Sequence, residues 1–117
     1  MPRFLTMIRI DERNAPGEPD PELEKRMGSL FEEITKAGVM FDTAGLTPTS
    51  EGTRVTWSGG KLNYTDGPFT ESKEVVGGYA ILQAKDKTEA LEWTKRFLQI
   101  HGDHQTVTAE VREIVEG

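Results

Sequence analysis

Four ionisable side chains crowd the stretch DGPFTESKE at residues 66–74, namely Asp66, Glu71, Lys73 and Glu74. Aspartate, glycine and proline in this order suit a tight turn. An Asp carboxylate accepts hydrogen bonds from backbone amides two or three residues on, and proline presets the second turn position. The chemical reading is a carboxylate at the rim of a pocket, where Asp66 would orient a substrate or exchange a proton. The plainer reading is a rigid turn in which Asp66 is the internal acceptor and Phe69 anchors the loop by burying its ring. Glu71 and Lys73 alternate, so in an extended segment they point to one side. There they form either a solvated ion pair or a clamp on a ligand, with Lys73 meeting an anionic group.

His101 and His104 are the only histidines, with Asp103 between them. Two imidazoles and a carboxylate could hold a metal, but this is a glycine-containing helix end with no third ligand pattern, and no metal is expected. His101 reads as a cap on the last helix carbonyls or as a general base titrating near neutrality. Trp57, Tyr64 and Trp93 are the aromatic candidates for lining a small-molecule site. The chain has no cysteine, which removes disulfides, thiolate nucleophiles and cysteine metal sites. It has no phosphate-binding glycine loop, no HExxH and no GxSxG, and no cofactor is expected. A net charge of −6 without a Lys/Arg cluster argues against nucleic acid. No apolar run approaches the roughly 20 residues of a membrane span. MPRFLTMIRI is too briefly apolar for a signal peptide, so a soluble, cytoplasmic protein with no membrane contact is expected.

The elements that must position these residues follow from periodicity. Phe4, Thr6, Ile8 and Ile10 alternate with Leu5, Met7 and Arg9, a strand apolar on both faces and hence central. Asp20-Pro21 opens a helix as N-cap and first helical residue, Leu23, Met27, Leu30, Phe31 and Ile34 mark its inner face, and Gly38 ends it. Val39–Leu46 is a short strand. Thr53–Ser58 and Lys61–Thr65 flank Gly59-Gly60 as a hairpin. Pairing Ser58 with Lys61 puts Val55, Trp57, Leu62 and Tyr64 on one face. Val75–Ala84 is a strand in which Gly77-Gly78 marks a bulge. Asp86 starts a second helix with Glu89 as its capping-box partner, and Val107, Ala109 and Val111 alternate in a last strand. Without the hairpin the order is βαββαβ, so the expected fold is α+β, ferredoxin-like, with an inserted β-hairpin and helices on one sheet face. The other face of so small a chain calls for a second subunit. The 117 residues are read as a single domain.

The stretch DGPFTESKEVVGGYAILQAKDKTEALEW, with AGVMFDTAGLTPTSEGTRVTWSGGKLNYT before it, resembles the DGPF group of the YCII-related superfamily. LFEEITKAG and the His-Gly after the second helix also fit. The resemblance implies a dimeric ferredoxin-like α+β assembly with a cleft near the subunit contact. It also implies Asp66 as the motif aspartate and His101 as the His-Gly histidine. The first-helix histidine of YCII-type relatives is absent, Met27 or a neighbour standing nearest, so their His–Asp pair does not carry over. The expected function is a small-molecule-binding protein or enzyme. Asp66 and His101 are the catalytic candidates, and Glu71, Lys73, Phe69 and Trp57 the ligand-binding ones. The competing readings are a non-enzymatic regulatory or partner-binding module and a cofactor-independent oxygenase-like enzyme, the latter favoured by an apolar cavity lined by Trp57 or Trp93.

Overall fold

A computed structural model of the chain describes residues 1–12, 20–102 and 106–116. His104 and Asp103 therefore lie outside the described residues. Among the described residues, six strands and two α-helices run in the order β1 (Arg3–Ile10), α1 (Pro21–Lys36), β2 (Met40–Gly45), β3 (Thr53–Ser58), β4 (Lys61–Asp66), β5 (Val75–Gln83), α2 (Lys87–Gln99) and β6 (Thr108–Glu113). The result is a mixed α+β chain. A four-stranded antiparallel sheet has the order β2-β5-β1-β6, and β3 and β4 form a separate two-stranded sheet. β1 is central, as its two apolar faces predict.

Local chemistry sets the helix ends. The Asp20 side chain accepts the Glu22 amide at 3.0 Å, and Pro21 follows it. Beyond Lys36, the Gly38 amide bonds Thr35 O and the Val39 amide bonds Ile34 O, the paired bonds of a Schellman ending. Asp86 accepts the Glu89 amide at 2.9 Å. Glu89 reaches back to the Lys85 amide at 3.0 Å, one residue earlier than the standard capping box. The hairpin register matches the expected one throughout, Ser58 opposite Lys61, Trp57 opposite Leu62 and Val55 opposite Tyr64. Its turn places Gly59 and Gly60 at φ of 58° and 76°, which only glycine adopts without penalty at both positions. In β5, Gly78 faces Ile8 and Val76 faces Arg9, so Gly77 is the extra residue of the expected bulge.

Both helices pack on one face of the large sheet. Phe4 and Leu82 are register partners, and Phe4 clusters with Ala84 and Ala90 while Leu82 clusters with Ile34, Val39 and Trp93. The core is small. The chain exposes 8334 Å², against about 6,400 Å² for a compact monomer of this mass. Its radius of gyration is 16.3 Å, against about 13 Å for a compact domain of this length. Part of the excess is the hairpin, whose apolar face is uncovered, with Val55 57%, Trp57 69%, Leu62 53% and Tyr64 67% exposed.

Candidate functional site

The motif loop begins where the hairpin closes. Thr53 and Asp66 are its last register pair, and the Asp66 carboxylate accepts the Thr53 hydroxyl at 2.9 Å. The 49–51 turn and Gly52 lie against the loop and supply partners for two of its amides. The Gly67 amide bonds Gly52 O at 2.9 Å, and the Phe69 amide bonds Thr49 Oγ1 at 3.2 Å. The Gly67-Pro68 peptide is cis. A Cβ on Gly67 would sit 1.7 Å from Thr49 O, so the backbones approach where only glycine fits.

Thr49 is in turn held from the end of the first strand. Glu12 accepts the Thr49 amide at 2.8 Å and its hydroxyl at 2.5 Å. The side-chain bond from Thr49, then the backbone one, lowers the Glu12 pKa. A group whose folded pKa is depressed contributes stability above its ordinary pKa and loses it as pH falls through the folded value. The intrinsic-rate-corrected protection of the Thr49 and Phe69 amides should therefore drop as pH falls below about 4.3, the ordinary glutamate pKa. Hydrogen exchange followed by NMR measures this, and Glu12→Gln should flatten the pH dependence.

Glu71 does not pair with Lys73. Residues 70–73 are not an extended strand, and Ser72 N bonds Phe69 O at 3.1 Å. Arg54 instead projects from the polar face of β3. Its guanidinium lies 3.9 Å from the Phe69 ring centroid, bonds Glu71, and reaches Ser72 Oγ at 3.1 Å. The Arg54 bond, then the residue's own amide, lowers the Glu71 pKa. Lys73 is exposed. His101 is half-buried, with Nδ1 3.1 Å from Phe97 O and 3.3 Å from Leu98 O, as expected for a cap at the end of α2. Its ring meets Phe97 edge-on at 5.1 Å. The structure thus brings Asp66, Phe69 and Glu71 into one loop with Arg54, and leaves Trp57 out on the hairpin and His101 at the helix end.

A concave, mainly apolar site lies elsewhere. A cleft of about 420 Å³ opens between the large sheet and the two helices. Thr6, Ile8 and Ile10 of β1 and Ala80 and Leu82 of β5 form its floor, and Met27, Phe31, Trp93 and Phe97 are among its helix-side residues. Arg96 lies 5.1 Å from the Trp93 ring centroid and is gripped by both oxygens of Glu33 on α1, which steadies that wall. Among the described residues no Asp, Glu, His, Lys or Arg lines the cleft, and the hydroxyl of Tyr79, the one titratable residue among them, donates to Asp42 at 3.1 Å. That hydrogen bond and the Asp42 charge raise the Tyr79 pKa. A second hollow of about 450 Å³ includes Asp11, Glu12, Ser50 and Pro68 in its lining. Ile10 and Gly77 line both hollows, so the two are neighbours.

None of the six residues singled out from the sequence lines either hollow. Sequence reasoning missed Thr6, Glu12, Thr49 and Arg54. The available signals were a threonine at an inward position of an apolar strand and an arginine on the hairpin face opposite the tryptophan. Among the described residues, no group of three or more His, Asp or Glu is placed to hold a metal ion, and no helix is long and apolar enough to cross a membrane.

An antiparallel sheet roofed by two helices over an apolar cleft defines a class of α+β protein. Residues 3–115 match the YCII-related domain, and the chain belongs to that family. It is also similar to an uncharacterized protein of Rhizobium meliloti (strain 1021), 27% identical over 78 residues. That alignment covers 67% of this chain and 63% of the relative's length.

Proposed function

We propose that this protein binds a small molecule in the cleft between sheet and helices, as a ferredoxin-like member of the DGPF group acting as a homodimer. The observation that carries the reading is the cleft itself, about 420 Å³ with a mainly apolar lining. Its size falls within the roughly 300–1,000 Å³ range of ligand sites. The strand–helix order and the sheet order β2-β5-β1-β6 support the ferredoxin-like assignment. The dimer is supported by the bare hairpin face and the excess surface. A subunit of a standard interface buries about 800 Å², less than the excess this chain exposes. A cysteine-free chain suits the cytoplasm.

In this reading Asp66 and Phe69 hold the shape of the motif loop. A lining without an acid or base among its described residues favours binding over proton transfer, and any catalytic part for Asp66 or His101 requires substrate to reach beyond those residues. A thermal-shift screen of small molecules tests the reading. A ligand at a hundredfold excess over its Kd should stabilise the protein by about 2.7 kcal/mol, a rise of several degrees in Tm. Ala80→Leu, which fills the floor, should abolish the shift. Asp66→Ala should leave the shift in place if the carboxylate serves only the loop, and reduce it if the carboxylate meets the ligand.

Trp93 in the wall of the apolar cleft favours one further reading, cofactor-independent oxygenase-like chemistry. Fold analogy alone is a weak warrant for it. Its test is dioxygen consumption in the presence of bound ligand, and a ligand that binds without oxygen uptake excludes the reading for that compound.

A further inference from the structure

We infer that the cleft selects an uncharged, flat aromatic molecule bearing one hydrogen-bonding group, and that Thr6 is the residue that reads this group. The inference rests on the proposed role of the cleft as a ligand site and names the ligand class.

Thr6 is 4% exposed at an inward position of β1, and its Oγ1 has no hydrogen-bond partner. Buried hydroxyls are rarely left so. The other buried cleft threonine, Thr94, shows the usual arrangement, its hydroxyl donating to Ala90 O at 2.9 Å. Valine has nearly the shape of threonine and would fill position 6 without an orphaned polar atom. Oγ1 is closed to solvent, so bulk water does not satisfy it. One staggered step of χ1 moves the hydroxyl into the place of the methyl and the methyl into that of the Cβ hydrogen, which lets Thr6 turn its oxygen towards a ligand group carried in on an apolar body.

The rest of the lining defines that body. Phe31, Trp93 and Phe97 offer ring surfaces for offset or edge-on contact, and Met27 adapts to an irregular outline. A carboxylate or ammonium would leave water with no counter-charge waiting, because none of the described lining residues is charged at neutral pH. Two fused rings are small enough to enter a cleft of about 420 Å³.

The probes are naphthalene, 2-naphthol and 2-naphthoate, titrated at neutral pH by ligand-observed NMR against the full chain. Wild-type protein should bind 2-naphthol roughly tenfold more tightly than naphthalene, the worth of one net hydrogen bond, with naphthoate weakest. Thr6→Val should keep the naphthalene affinity and erase the preference for naphthol. A naphthol preference that survives Thr6→Val, or the absence of any preference in wild type, overturns the role of Thr6 while leaving the cleft a ligand site. Tightest binding of naphthoate overturns the uncharged class. Binding of none of the three, or binding unchanged in Ala80→Leu, removes the ligand site itself and this inference with it. Circular dichroism of each variant confirms that it is folded.

Discussion

Gly67→Ala is expected to be the most damaging single substitution in the motif loop. The new methyl would meet Thr49 O at 1.7 Å, and the atom it meets is backbone, which cannot rotate away. Relief requires the 49–51 turn and the loop to part. That breaks the Gly67–Gly52 and Phe69–Thr49 hydrogen bonds and draws Phe69 from under Arg54. A loss of at least about 3 kcal/mol is expected, in the range reserved for steric conflict at special backbone positions. Urea unfolding should show it as a lowered midpoint with an unchanged slope. The comparison is Asp66→Asn, which keeps an acceptor for Thr53 and should cost under about 1 kcal/mol. If Gly67→Ala matches Asp66→Asn in stability, the close approach is not part of the native loop.

The paired change Trp57→Ser and Tyr64→Ser should turn the proposed dimer into a monomer. These side chains are 69% and 67% exposed on the same hairpin face as Val55 and Leu62. A two-stranded hairpin is marginal alone in water, so its ordered apolar face implies cover. Buried Trp and Tyr anchors commonly contribute 2 kcal/mol or more each to an interface, so the dimer Kd should rise by about a hundredfold or more. Sedimentation equilibrium measures the mass. Far-UV circular dichroism should keep its helical signal, because α1 and α2 pack on the large sheet and not on the hairpin. A wild-type protein that sediments as a monomer at 100 μM, on the order of the weakest Kd a specific dimer would need, would overturn the assignment.

The two expected results concern the stretches that were most legible in the sequence, and they show where legibility stopped. The hairpin was readable down to its register, because a Gly-Gly turn and period-two alternation constrain neighbours only a few residues apart. The same held for Asp20, Asp86 and Gly38 at helix ends and for Gly77 at the bulge. The motif loop was readable as special but not as to why. The sequence leaves Asp66 open between an acceptor within its own turn and an acid or base at a pocket, and the fold sets its carboxylate against the Thr53 hydroxyl. Glu71 reads as an ion pair with Lys73 or as part of a clamp on a ligand, and Arg54 holds it in the fold.

Order, element type and strand alternation were thus determined by the sequence alone, since each depends on contacts within a turn of helix or across one hairpin. Tertiary structure decided the partners. Glu12 meets Thr49 from 37 residues away, Arg54 meets Glu71 from 17, and Gly67 lies against a carbonyl that only the folded 49–51 turn delivers. The cleft has no local signature at all. It is the space left where two amphipathic helices and a sheet, each unexceptional in sequence, fail to close completely over Thr6.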